Sequence, residues 1–199
     1  MPEQPIAPRP KALLFGKLPT HGDFVTRGLS AFQRENWDTW ITRGLVSQKS
    51  VLGTAFDEIH DCAPPWRFLE GPGSFGSGWR VGCLAPTIDS AGRRFMVMLC
   101  LDGFLDPPAG WVDQIAEDLE NVIRDSFENA WTADQVIARA SEIADRCDLE
   151  EQDAGGVVSE TRWWTLGGPY HPPQRHSEGT TLELWAKIFA PMRCEGSSC

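Results

Sequence analysis

The segment that most constrains the fold is 15–29, which reads FGKLPTHGDFVTRGL and overlaps the end of the apolar run 12–15. A short apolar run that ends at Gly16 is typical of a buried strand leading into a tight loop. Gly16 and Gly22 can adopt backbone conformations that other residues avoid, and Pro19 fixes one φ angle. The sequence therefore predicts a stiff loop at the end of a strand. The polar side chains that it presents are Lys17, His21 and Asp23.

Hydrophobic periodicity predicts helices and then a group of strands after this loop. Ser30 and Gln33 form an S-x-x-Q capping box before an apolar run with helical spacing, so a helix begins near Ser30. A second, short helix is predicted over 48–59. Three apolar segments of strand length follow, at 66–69, 79–84 and 94–101.

The second half of the chain adds a helical pair and one more strand. An amphipathic period predicts a long helix, and the capping box of Thr132 and Gln135 begins another. Together they form an acidic helical hairpin. Segment 157–166 has strand composition, and neighbouring residues of a strand point to opposite faces of the sheet. We therefore expect Trp163 and Trp164 to lie on opposite faces.

These elements predict one α+β domain with a mostly antiparallel sheet flanked by helices, because no βαβ alternation indicates a doubly wound sheet. We expect this domain to span 12–190. The proline-rich residues 1–11 are expected to be disordered, and 191–199 to form a flexible tail. Segment 167–180 is typical of a long loop. Segment 181–189 fits either a strand or a helix.

Composition argues against several classes of function. A formal net charge of −10 opposes nonspecific attraction to nucleic acid or to an anionic membrane surface. No apolar run approaches the ~20 residues of a membrane helix, so no membrane insertion is expected. The N-terminus lacks the apolar centre of a signal peptide, which predicts a cytoplasmic protein. The cysteine and histidine spacings match no standard metal site, so no metal or other cofactor is expected.

The loop is the first part of a longer pattern of positions, which occur in a fixed order over about residues 12–166. They are Phe15 to Pro19, Gly22 to Val25, Trp37, Trp40, Pro65 to Phe68, Gly82 to Pro86, Asp89, Gly92, Arg93, Phe95, Trp163 and Trp164. This pattern resembles the signature of the TagF family, and its length makes it far more specific than an isolated glycine motif. The resemblance implies post-translational repression of bacterial type VI secretion. It also implies action through a forkhead-associated scaffold protein, with no catalytic step.

The polar residues of the loop and of the later strands bear on two of three hypotheses about function, and the third is a purely structural subunit of the secretion assembly. In a regulatory binding protein, the expected contact or loop residues are Lys17, His21, Asp23, Arg27, Arg93 and Arg94. The expected structural positions of the signature are Gly16, Pro19, Gly22, Trp37, Trp40 and Trp66. The alternative is a hydrolase that uses His21 as base and Asp23 as its orienting carboxylate. The sequence has no G-x-S-x-G elbow to supply a nucleophile.

The sequence also suggests how the loop is held. Asp23 follows a glycine and is expected to act chiefly as a brace, accepting backbone N–H groups and pairing with Lys17, Arg27 or Arg93. Arg93 has a second possible partner in Asp89. In this interpretation Lys17 and His21 are exposed contacts.

Overall fold

An antiparallel sheet of seven strands forms the centre of the computed structural model, which describes residues 9–105, 107, 109–147, 160–169 and 171–190. The strands are β1 (Lys11–Gly16), β2 (Val25–Arg27), β3 (Trp66–Glu70), β4 (Trp79–Ile88), β5 (Arg94–Phe104), β6 (Arg162–Thr165) and β7 (Gln174–His176). Their order across the sheet is β2-β1-β5-β4-β3-β6-β7. Every neighbouring pair is antiparallel.

Helices cover both faces of this sheet. Within the described residues they are α1 (Ala31–Leu52), α2 (Phe56–Cys62), α3 (Ala109–Glu128), α4 (Ala133–Cys147) and α5 (Leu182–Ile188). One buried cluster joins the sheet to α3 and α4, and a second joins its other face to α1, α2 and α5. The predicted class, an α+β domain with an antiparallel sheet flanked by helices, is confirmed.

Because both faces are covered, the central strands bury side chains on both sides. In β5, Val97 packs in the cluster under α3 and α4, whereas its neighbour Met98 packs in the cluster under α1. This accounts for the unbroken apolar run of that strand, since neither face has to be polar. Trp163 and Trp164 divide between the two clusters in the same way, as predicted.

Helix α1 begins where predicted but runs further than predicted. Ser30 Oγ accepts a hydrogen bond from the Gln33 amide at 3.2 Å, and the Gln33 side chain accepts one from the Ser30 amide at 3.0 Å, which confirms the capping box. The helix ends at Gly53, whose φ of +55° few other residues adopt. The predicted separate helix over 48–59 is therefore wrong in its first half, because no glycine or proline between 45 and 52 ends α1 before Gly53.

The C-terminal part is more regular than the sequence suggested. The segment predicted as a long loop, 167–180, contains β7, and 181–189 forms α5 rather than a strand. Strand β1 begins at Lys11, at the end of the segment expected to be disordered. The expectations for 1–8 and 191–199 lie outside the described residues.

Helix α5 is seated on α1 through Trp185 and Gly44. The Trp185 side chain is fully buried, and a Cβ added at Gly44 would lie 2.0 Å from its ring. Gly44 thus lets an indole ring approach the backbone of α1 directly. The Trp40 ring, whose centroid is 4.7 Å from that of Trp185, completes the contact.

We predict that Gly44→Ala destabilises the protein, although alanine is ordinarily the better helix former by about 1 kcal/mol. The added methyl group must displace Trp185 and α5, so the free energy of unfolding should fall by about 1–3 kcal/mol. Denaturant unfolding measures this change. Ser50→Ala, at an exposed position of the same helix, is the control and should be neutral or slightly stabilising. Equal or higher stability of Gly44→Ala would contradict the proposed packing.

Candidate protein-binding site

The signature loop, residues 17–24, connects the end of β1 to β2 and is fixed at its start by Gly16. Gly16 has φ of +126°, and a Cβ there would lie 2.1 Å from the Met96 carbonyl oxygen of β5. Glycine is therefore required at this position by both conformation and space. Gly22 does not share this property, because its φ is not positive and an added Cβ would meet only Ser90 Oγ, at 3.4 Å. The prediction of a special backbone conformation is thus correct for Gly16 and wrong for Gly22.

The loop is held by Asp89, which lies in the turn between β4 and β5. Lys17 Nζ and Arg93 Nε both donate to Asp89 Oδ2, each at 2.8 Å. Asp89 Oδ1 accepts the backbone N–H groups of Ala91 and Arg93, each at 2.9 Å. The Asp89 side chain is fully buried. The hydrogen bond from Lys17, with those from Arg93 and Ala91, holds the pKa of Asp89 far below its ordinary value. We call Lys17, Asp89 and Arg93 the Asp89 brace.

The brace differs from the one predicted. Asp23 was expected to hold the loop, but its side chain is fully exposed and lies 3.9 Å from Arg93 at its nearest ion-pair contact. Lys17 was expected to be exposed, but its side chain is only 7% exposed. The physical reason is that β1 and β4 both flank β5. This order brings Lys17 beside a carboxylate 72 positions away, a proximity that local spacing does not encode.

The exposed side of the loop, which we call the loop face, consists of Gly22, Asp23, Phe24 and Arg93. Phe24 is 50% exposed, yet its ring contacts the Phe95 ring edge-on at 4.8 Å between centroids. The Lys17 ammonium lies 5.2 Å from the centroid of the Phe24 ring, a cation–π contact. The Arg93 guanidinium donates to the Gly22 carbonyl oxygen. The loop face therefore presents an aromatic ring that is accessible and also fixed in place.

The same loop is attached to the acidic hairpin of α3 and α4. Thr20 Oγ1 donates to the Trp131 carbonyl oxygen at 2.8 Å, just before α4 begins. Arg27 Nε contacts Asp134 Oδ1 at 2.6 Å, and this ion pair lowers the pKa of Asp134. Arg27 is therefore engaged by the hairpin and lies outside the loop face. His21 is half-buried, with Nδ1 2.9 Å from Thr20 Oγ1.

Arg94 is also occupied by an internal contact. Its guanidinium donates to both carboxylate oxygens of Asp61, at 2.8 and 2.6 Å, and lies 3.2 Å from Asp57. These hydrogen bonds raise the pKa of Arg94 and lower that of Asp61. This geometry ties α2 to the start of β5. The loop and the β4–β5 turn thus bring together Lys17, Asp23 and Arg93. Arg27 pairs instead with α4, and Arg94 pairs with α2.

The predicted signature tryptophans lie in the core under α1. Trp37 and Trp66 are buried, and Trp40 is partly buried. The Trp37 ring stacks on that of Phe75, with centroids 3.9 Å apart. Pro19 is exposed in the loop.

The arrangement around His21 lacks the contacts of a catalytic triad. No hydrogen bond or ion pair joins His21 to Asp23 in the described structure, and the nearby Thr20 hydroxyl donates to a carbonyl oxygen. In the part of the chain that the structure describes, no group of three or more His, Cys, Asp or Glu side chains has the geometry to hold a metal ion. The described helices include none that is long and apolar enough to cross a membrane.

The fold is that of an α+β protein with helices on both faces of an antiparallel sheet, and the sequence matches a known protein family. A family profile described as "TagF N-terminal domain, Type VI secretion system-associated" matches residues 14–143. The chain therefore belongs to the TagF family, associated with the type VI secretion system. The profile includes the signature loop, the β4–β5 turn and most of the acidic hairpin.

A solved structure shows the same fold. The crystal structure of PA0076 from Pseudomonas aeruginosa PAO1 superposes with a TM-score of 0.71, over 95% of this chain and 97% of that one. The two sequences are 22% identical, so this similarity concerns the fold alone. No curated protein gives a significant match to the sequence.

We predict that Asp89→Ala destabilises the protein far more than Asp23→Ala. Removal of Asp89 leaves two cations side by side and two backbone N–H groups without their acceptor. The melting temperature should fall by about 5–10 °C. Asp23→Ala is the matched control and should change it by less than about 2 °C, since Asp23 is exposed and weakly paired. Similar melting temperatures for the two variants would contradict the assignment of the brace.

The stabilisation that the Asp89 brace provides should also depend on pH, and it should be lost as the pH falls. The pKa of Asp89 is depressed from its ordinary value of 3.8, so the ionised carboxylate contributes its full stabilisation above that pH. Below it the unfolded chain binds a proton before the folded chain does, and the contribution is lost. The difference in unfolding free energy between the parent and Asp89→Asn should be constant from about pH 7 to 5 and shrink below about pH 4. Denaturant titrations at several pH values test this. A difference unchanged at about pH 3 would contradict it.

Proposed function

We propose that this chain is a non-catalytic repressor of type VI secretion that acts after translation, in the cytoplasm, by binding a protein partner. The family supports the association with type VI secretion. The observation that carries the binding role is Phe24, a half-exposed aromatic ring fixed on a braced loop. The proposed partner is a forkhead-associated scaffold protein of the same secretion system.

The loop face has the physical properties of a binding surface. Aromatic and arginine side chains dominate the binding energy of many interfaces, and the loop face places Phe24 beside Arg93. Both are already positioned, by the Phe95 ring and by Asp89 respectively. A surface that is rigid before binding loses little conformational entropy when a partner docks. We therefore assign direct contact to Asp23, Phe24 and Arg93, and a supporting role to Lys17.

The remaining candidate contact residues support this surface from its edges. His21 lies next to Thr20, which joins the loop to the hairpin, and Arg27 joins β2 to the same hairpin. Arg94 secures the strand that follows Arg93. The hydrolase hypothesis gains no support from this geometry, because His21 and Asp23 do not meet.

We predict that Phe24→Ala weakens partner binding by about 10–100-fold and relieves repression, because it removes a central aromatic anchor. Phe32→Ala is the matched control, because Phe32 is also exposed, at 60%, but lies away from the loop face. It is in α1 next to Gln33, whose side chain donates to Asp102 at the end of β5 that is far from the loop. Binding to the purified scaffold is measured by calorimetry, and repression by the amount of secreted material in cells that carry each variant.

Two results would contradict the proposed function. One is a parent protein that neither binds the scaffold nor lowers secretion. The other is an equal loss of binding in the two phenylalanine variants, which would show that the loop face has no special part in recognition.

A further inference from the structure

A buried histidine contacts one of the residues that support the loop face. His60, in α2, is fully buried. Its Nε2 lies 2.9 Å from the carbonyl oxygen of Phe95, at the start of β5, and its Nδ1 lies 3.1 Å from Oδ1 of Asp61. The Phe95 ring is the one that contacts Phe24 edge-on. The imidazole is therefore connected to the exposed ring of the loop face through a single residue.

Both polar neighbours of the His60 ring can only accept a hydrogen bond. A backbone carbonyl oxygen has no proton, and the Asp61 carboxylate stays ionised because its hydrogen bonds from Arg94 lower its pKa. A neutral imidazole has one N–H group and one bare nitrogen, which here would face an oxygen with no proton between them. Both contacts are satisfied only when each ring nitrogen carries a proton.

Two aromatic rings beside the imidazole also favour a positive charge. The centroid of the His60 ring lies 5.7 Å from that of Phe56, in α2, and 5.8 Å from that of Phe189, at the end of α5. Both distances fall within the ~6 Å over which the face of an aromatic ring attracts a cation. These rings exclude water from His60, so its contacts with oxygen atoms have to come from the protein.

The charged groups that face this ring are paired with one another. Asp61 faces it from α2, and Arg94 of β5 contacts both Asp61 and Asp57. With His60 protonated, two cations share two carboxylates. A buried charge is costly unless it is paired and hydrogen-bonded, and His60 would meet both conditions through Asp61 and the Phe95 carbonyl oxygen.

We infer that His60 is an imidazolium in the folded protein and a positioning residue for the loop face. Its two N–H groups tie α2 to the start of β5, where Phe95 supports Phe24. The positioning role rests on the proposed function, whereas the charge of His60 follows from its contacts alone.

Nuclear magnetic resonance of the full chain, labelled with nitrogen-15 at histidine, tests the charge directly. At about pH 7.5 most histidines of an unfolded chain are neutral, so the chain in urea is the reference. In the folded chain, both ring nitrogens of His60 should have the chemical shifts of an imidazolium. His60→Gln assigns the signals. The nitrogen shifts of a neutral tautomer overturn the inference.

A charged His60 also makes stability fall as the pH rises. The folded chain then holds a proton that the unfolded chain releases above about pH 6.5, so the advantage of the parent over His60→Gln is full below that pH and shrinks above it. Relative to the variant, the unfolding equilibrium constant of the parent should rise by up to about 10-fold per pH unit. Denaturant titrations measure this ratio, and a constant ratio between about pH 6.5 and 8 overturns the inference.

Two substitutions separate the two contacts of His60. The side-chain amide of Gln reaches the position of Nε2 and that of Asn the position of Nδ1, so His60→Gln keeps a donor for Phe95 and His60→Asn keeps one for Asp61. His60→Asn should weaken scaffold binding by about 5–10-fold, and His60→Gln by less than about 3-fold. His176→Gln is the control, since His176 is also buried but lies in β7, at the opposite edge of the sheet from β2. It should leave binding unchanged.

The outcomes distinguish this inference from the proposed function. If the two His60 variants lose binding equally, the contact with Phe95 does not position the loop face and that role is wrong. If His60→Asn does not fold, the Phe24 ring resonances of the parent replace it, and they should move when alkaline pH deprotonates His60. Unmoved resonances overturn the role. A neutral His60 in a parent that binds the scaffold ends the inference while the proposed function stands. An imidazolium in a parent that binds no scaffold ends the proposed function, and with it the positioning role.

Discussion

The site depends on one buried carboxylate. Asp89 accepts hydrogen bonds from two cationic side chains and two backbone N–H groups, so four interactions that fix the β4–β5 turn and the signature loop converge on a single residue. Charged groups are costly to bury unless they are paired and hydrogen-bonded, and here each oxygen has two donors. The loop owes its rigidity to this arrangement. Its exposed residues are consequently free to differ in chemistry without changing the position of the loop.

A second group of interactions connects this loop to the acidic hairpin. Thr20 reaches Trp131, between α3 and α4, and Arg27 reaches Asp134 in the first turn of α4, although both lie more than a hundred positions earlier in the chain. Much of the negative charge of the hairpin is balanced in the same way, as when Arg67 of β3 contacts Glu120 at 2.7 Å. The hairpin is therefore part of the framework that positions the loop, in addition to covering one face of the sheet.

Local patterns predicted the elements whose determinants lie close together in sequence. The capping box of Ser30, the apolar run of β5 and the opposite faces of Trp163 and Trp164 all depend on near neighbours. The strands β2 and β7 were missed because three residues are too few to show an alternating pattern.

The candidate site was harder to predict than the fold. The sequence marked the correct loop and named Arg93, but it chose Asp23 over Asp89 as the brace. An aspartate that precedes a Ser-Ala-Gly turn is a known acceptor of turn N–H groups, and that signal favoured Asp89.

The brevity of the outer strands has a consequence for how this protein meets others. In the described structure, the sheet ends in β2 on one side and β7 on the other, each three residues long. An edge this short gives a foreign strand few main-chain groups to pair with, which disfavours aggregation and sheet extension across molecules. Recognition by backbone pairing is thereby suppressed at both margins. Partners must be discriminated by side chains, which allows specificity to evolve by point substitution while the framework stays unchanged.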